Sequence, residues 1–159
     1  MTSGGGKYIF DDDQEVPDTQ VVTWEFPQSA IVWEHRMWSD HGNDGLSFGI
    51  AFYGDKGTLI VDEKSWRVED GPKAGGKSTE GQAAHVRNFL DCIRDRKAPN
   101  AEIEIGHLST RLCHLGNIAQ RTGRKLTFDA ATESFPGDAE ANKLLAREYS
   151  SRFEMPSHV

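Results

Sequence analysis

The apolar residues of this chain change period part of the way along it. Between Val21 and Glu69 they mostly alternate, as on half-buried strands, whereas from Gln82 to Ala119 they recur at spacings of three and four, as on one face of a helix. The boundary is Gly71–Gly81, GPKAGGKSTEG, a stretch without a large apolar side chain. Strand-forming segments followed by helix-forming ones predict an α+β fold, an open and mostly antiparallel sheet with helices packed on one face.

Met1–Gly6 reads as a small-residue lead-in and residues 154–159 as a second flexible end, with the first extended segment starting near Lys7. Asp11–Asp18 is an acidic loop. In Val21–Phe26, Val22, Trp24 and Phe26 share one face; in Ala30–Trp38, Ile31, Trp33, His35 and Met37 share one face and Val32, Glu34, Arg36 and Trp38 the other. Phe48–Tyr53 and Thr58–Asp62 flank Gly54-Asp55-Lys56-Gly57, a hairpin signal, and Trp66–Glu69 adds a strand. The first helix, Gln82–Arg96, is expected to bury Val86, Phe89, Leu90 and Ile93; the second, Ile103–Thr122, to bury Ile105, Leu108, Leu112, Leu115 and Ala119, with Gly123 closing it. Lys125–Asp129 reads as a short strand and Ala139–Tyr149 as a last helix, N-capped by Asp138, with Leu144 and Leu145 inward. Large apolar groups on both faces of several strands imply that the second sheet face is covered, by a partner, a homo-oligomer being the simplest one, or alternatively by the chain's own loops and tail.

Length and charge narrow the function classes. The chain has 159 residues, which predicts a single domain spanning 1–159. A net charge of −7 is wrong for nucleic acid, which attracts basic surfaces. No apolar run approaches the roughly 18–20 residues that cross a bilayer, and the first residues lack a signal-peptide layout, so the expectation is a cytoplasmic protein. Cys92 and Cys113 have no metal or redox spacing and read as reduced thiols.

Three groups of residues have the types that bind ligands. Gly71, Gly76, Lys77 and Ser78 satisfy the phosphate-loop pattern G-x-x-x-x-G-K-[ST], in which backbone N–H groups cradle phosphates while Lys and Ser reach the terminal phosphate and magnesium. That chemistry needs a strand-to-helix junction in a parallel sheet; here hairpins precede the motif and Gly81 falls where its helix should be under way, so a Gly/Lys/Ser connection is favoured and a nucleotide site is the alternative. His107, Arg111 and His114 form a stripe beside the apolar face of the second helix, continued by Ile118. The two histidines are seven residues apart, about 10 Å, too far to share a zinc ion, so the stripe reads as a solvated helix flank, with contact to an anionic or hydroxylated ligand or to another domain as the alternative. On the long strand, Arg36 and Trp38 share a face and His35 takes the other; a guanidinium beside a flat ring fits a sugar or a protein interface. Asp11-Asp12-Asp13 lacks the alternation of a calcium loop, and no metal site is expected.

GGKYIF followed by an acidic loop and PDT, IVWEHR, GDKGTLIV, HLSTRLCHLGNIAQRTGRKLTFD and GDAEANKLLAREY together resemble the C-terminal domain of the Gfo/Idh/MocA family, across about Gly5–Phe153. The resemblance implies an antiparallel sheet with helices on one face that helps to build a sugar or polyol pocket and an oligomer interface, in an NAD(P)-dependent oxidoreductase. The family's dinucleotide fingerprint, its E-K-P motif and its D-x-x-x-H helix do not occur in these residues: Glu63-Lys64 is followed by Ser65. The resemblance therefore implies no catalytic residue and no cofactor site in this chain, NAD or NADP and the missing Rossmann domain belonging to the full-length enzyme. A chain so placed is expected to be inactive in hydride transfer by itself, because positioning the donor supplies much of that catalysis. A non-catalytic sugar-binding or scaffold module is the alternative reading of the same fold.

Overall fold

The computed structural model describes residues 1–77, 81–147, 149–150 and 152–153, the side chain of Asp44 apart. Their contacts divide the chain into two compact units, residues 1–38 with 106–159, and residues 39–105.

In the first unit, strands β1 (Thr2–Gly6), β2 (Thr19–Glu25) and β3 (Ala30–Arg36) form an antiparallel sheet in that order. The small residues read as a lead-in are thus a strand, and Lys7 follows it. Register sets the faces: Val22 lies opposite Trp33, Trp24 opposite Ile31 and Gln20 opposite His35, so all six share one face, as the alternation predicts. Val22 and Trp24 are buried beneath helix α2 (Ile103–Thr122) at Gly116, where a Cβ would come within 3.1 Å of the Trp24 ring and 3.3 Å of Val22. Only glycine lets the helix settle that closely on the sheet. Gln120, one turn further, donates to the Gly5 carbonyl at 2.9 Å and accepts from the Ser3 hydroxyl at 2.9 Å.

The far side of α2 is closed by the chain that follows it. Leu115, Ile118, Ala119, Leu126, Phe135 and Ala141 make the core cluster, with Met1 and Phe128 against it. Gly123, at φ 65°, ends the helix as expected, its N–H bonded to Ala119 O at 3.0 Å. The predicted strand at Lys125–Asp129 forms no ladder. Leu126 exchanges two bonds with Met1, its N–H to Met1 O at 2.9 Å and its carbonyl accepting from the Met1 ammonium at 2.8 Å, and Asp129 forms an isolated bridge with Ser134. Asp138 does cap helix α3 (Ala139–Lys143), accepting from the Ala141 N–H at 3.1 Å. That helix is shorter than the sequence predicts: its end tightens into i→i+3 bonds at Leu144 and Leu145, and both leucines stay partly exposed instead of facing inward.

Two expectations for α2 also change. Its buried residues lie in the C-terminal half, the half that crosses β2, so Ile105 and Leu108 are exposed and Leu112 is only half-buried. Ile118, read as part of the polar stripe, is buried in the core cluster.

In the second unit, β4 (Ile50–Gly54), β5 (Gly57–Val61), β6 (Ser65–Glu69) and β7 (Gly75–Lys77) pair in order, all antiparallel, around the predicted Gly54–Gly57 turn. Among the described residues of this unit, Ile60 is the buried one. Helix α1 (Gln82–Asp95) follows, ending at Arg96 in the left-handed conformation. None of its residues is buried: Val86, Phe89, Leu90 and Ile93, expected in a core, form an exposed apolar face. The α+β class and the antiparallel pairing stand, with the strands among the described residues in two sheets of three and four. Among the described residues no helix is long and apolar enough to cross a membrane.

Candidate functional site

The stripe on α2 is split by the structure. His107 and Arg111, one turn apart, both point at Glu133 Oε1, with His107 Nε2 2.7 Å and Arg111 Nη1 2.6 Å away. His114 is exposed and takes no part. Beneath them, the Arg111 guanidinium lies over the Phe128 ring at 5.6 Å from its centroid, a cation–π contact. Phe128 in turn meets the buried Phe135 edge-to-face at 5.2 Å. The cluster is thus footed on the core of the first unit while its polar atoms remain open to solvent.

Glu133 is placed by an unusual backbone. It has φ 47°, the left-handed region that a side chain with a Cβ enters at a cost of about 1–2 kcal/mol. The turn that holds it there is built by Asp129, whose carboxylate accepts from the Ala131 N–H at 2.9 Å and whose backbone bridges Ser134. The hydrogen bond from His107 is the main reason the Glu133 carboxyl is held below the usual glutamate range; desolvation opposes it and Arg111 adds to it. The sequence offered the two donors but not their acceptor, because Glu133 sits in an irregular turn with no periodicity to place it. The only available signal was chemical: a cationic helix flank above a Phe-Asp turn needs a carboxylate.

Of the three candidates, His35 and Arg36 lie on opposite faces of β3 as the alternation predicts, while Trp38 lies in the turn that follows the strand, which ends two residues earlier than the sequence suggests. His35 accepts at Nδ1 from the Trp33 indole N–H at 3.0 Å, which leaves its proton on Nε2, 3.2 Å from Pro17 O. Both ring nitrogens are therefore engaged within the unit. Arg36 pairs with Glu34 at 3.1 Å on the other face. Trp38 donates to Thr19 Oγ1 at 2.9 Å, and Thr19 donates to Asp18 Oδ1 at 2.7 Å. Asp18 is buried, and burial alone would raise its pKa. Three backbone N–H groups, of Tyr8, Ile9 and Phe10, converge on Oδ2 at 2.8–3.1 Å and with Thr19 lower it instead to about 2. Asp18 and Trp38 thereby fix the loop before β2 and the exit from β3. His35, Arg36 and Trp38 do not converge on one point.

The phosphate-loop residues have a different setting. Gly75–Lys77 pair with β6, Gly76 opposite Trp66 and Lys77 opposite Ser65, so the backbone at Gly76 and Lys77 is extended in a ladder instead of curled round an anion. Gly71 lies in the preceding bend, and Ser78 is outside the described residues. Among the described residues no group of three or more His, Cys, Asp or Glu side chains has metal-ligand geometry. Surface hollows in the second unit run along α1, past Gln82, Val86, Leu90 and Arg94, and round Gly81, His85 and Asn100.

Comparison with curated proteins and with solved structures gives no match. Residues 70–155 match the family described as oxidoreductase family, C-terminal alpha/beta domain, of the Gfo/Idh/MocA group. That match runs through α1, α2, the Glu133 turn and α3, more than half of the chain, and includes His107, Arg111, Phe128 and Glu133. The chain belongs to the Gfo/Idh/MocA oxidoreductase family and carries its C-terminal domain.

Proposed function

We propose that the chain is the substrate-contacting and oligomerising part of an NAD(P)-dependent oxidoreductase acting on a sugar or polyol, and that it does not transfer hydride by itself. The observation that supports this reading is the convergence of His107 and Arg111 at one point above Phe128, inside the stretch that matches the family. An Arg fork and an imidazole N–H are donors suited to the hydroxyl or carboxyl oxygens of a sugar derivative. A dinucleotide fingerprint is not found in these 159 residues, so the cofactor is assigned to a Rossmann domain outside them. For self-association, the face of β2 and β3 opposite α2 offers Val21 and Val32, both exposed. We assign 1–159 as a single cytoplasmic domain in that assembly.

A thermal-shift panel tests the reading, because a ligand that binds only the folded state raises the apparent stability. Sugars or polyols are expected to raise Tm, with NAD, NADP and Mg-ATP silent. A rise with Mg-ATP, or a sugar response unchanged in Arg111→Gln, overturns it. Light scattering tests the assembly: Val32→Glu is expected to convert a homo-oligomer to monomer.

A further inference from the structure

The carboxylate that His107 and Arg111 hold comes from the chain itself, and several features make it a replaceable occupant. Both donors bond the same oxygen, Oε1, so the Arg fork is used through one of its nitrogens. Arg111 is positioned independently of Glu133: it rests on Phe128, and its side chain is 20% exposed against 49% for Glu133. Glu133 holds its place from a left-handed backbone that disfavours it. An external carboxylate needs no such backbone and matches the planar fork through two oxygens, the stronger geometry.

We infer that His107 and Arg111 form a carboxylate-recognition site that Glu133 occupies in the free protein, and that a carboxylated sugar, an aldonate or uronate, displaces Glu133 to bind there. This deepens the substrate-contact reading above and rests on it. Glu133 is then an internal competitor: it keeps the donors paired when the site is empty and sets a threshold that carboxylated sugars overcome more readily than neutral ones.

The experiment is isothermal titration of the full chain with D-glucuronate and with D-glucose, for the wild type, Glu133→Asn, and Glu133→Asn combined with Arg111→Gln. Asn is neutral and accepts left-handed backbone well, so Glu133→Asn is expected to remove the competitor without straining the turn, with circular dichroism as the check on its fold. Glucuronate is expected to bind Glu133→Asn at least 10-fold more tightly than wild type, with glucose unchanged, and Arg111→Gln is expected to abolish the gain. Glucuronate binding that is unchanged or weaker in Glu133→Asn, or a gain that survives Arg111→Gln, overturns the displaced-carboxylate site. If glucose binds as well as glucuronate and is lost with Arg111→Gln, this inference falls while sugar contact at the cluster stands; if neither sugar binds any variant, both fall. Inorganic phosphate binding Glu133→Asn more tightly than glucuronate also overturns the assignment, since it makes the site a general anion contact.

Discussion

Arg124 grips Asp138 through both of its terminal nitrogens, Nη1 to Oδ2 at 2.5 Å and Nη2 to Oδ1 at 2.8 Å, while Oδ1 also accepts from the Ala141 N–H at 3.1 Å to cap α3. One carboxylate thus ties the residue after the Gly123 cap to the start of the next helix. The Arg124 pairing, with the cap bond, holds the Asp138 pKa down from 3.8 to about 2. Such a group stabilises the fold when ionised: its contribution is complete above the unfolded value, about 4, and is lost as pH falls through the folded value, about 2. Asp18 has the same window for a different reason, its three backbone donors. Stability measured by urea unfolding is expected to fall between pH 4 and pH 2. Asp138→Asn, which keeps a capping oxygen but loses the charge, is expected to flatten part of that slope, whereas Asp138→Ala loses the cap as well and is less stable at pH 7.

Phe135 is a buried anchor, edge-to-face on Phe128 and closing the cluster under α2. Phe135→Ala is expected to cost about 3–5 kcal/mol in urea unfolding, and Phe135→Leu distinctly less, since the cavity it leaves is smaller.

Gly116 sets the distance between α2 and β2. Gly116→Val adds atoms where a Cβ already meets Trp24 at 3.1 Å and Val22 at 3.3 Å, and is expected to destabilise by about 1–3 kcal/mol despite removing a helical glycine. Trimming the neighbour tests the cause: Val22→Ala in the Gly116→Val background is expected to cost less than it costs alone.

Gly123 offers a contrast in which only the backbone matters. Nothing lies within 4 Å of its Cβ position, yet its φ is 65°. Gly123→Ala is expected to lower stability by about 1 kcal/mol and Gly123→Asn by less, because Asn tolerates this conformation; equal costs for the two would place the effect elsewhere.

The elements set by short-range pattern were legible in the sequence: β2 and β3 with their faces, the Gly54–Gly57 hairpin, both long helices, the Gly123 and Asp138 caps. What failed was long-range. Periodicity marks an apolar face and says nothing of what lies against it, so Leu115 and Ala119 are buried while Ile105, Leu108 and the whole apolar face of α1 are not. Lys125–Asp129 has strand-like composition, but a ladder needs a partner strand, and the segment instead meets Met1 at Leu126 and Ser134 at Asp129. Of the residues that meet at Glu133, His107 and Arg111 stood on a periodic helix whose spacing put them on one flank; Phe128 and Glu133 lay in irregular backbone, and His114 shared the stripe without sharing the contact.

Helix α1 has fourteen residues and none buried. A helix of that length that buries none of its residues is close to the margin of stability in water, so its backbone amides are expected to exchange with solvent deuterium almost as fast as those of a coil. Protection at residues 82–95 is therefore a built-in reporter: amides that exchange in the free chain and slow when another domain or subunit is added locate that contact on the face of Val86, Phe89, Leu90 and Ile93.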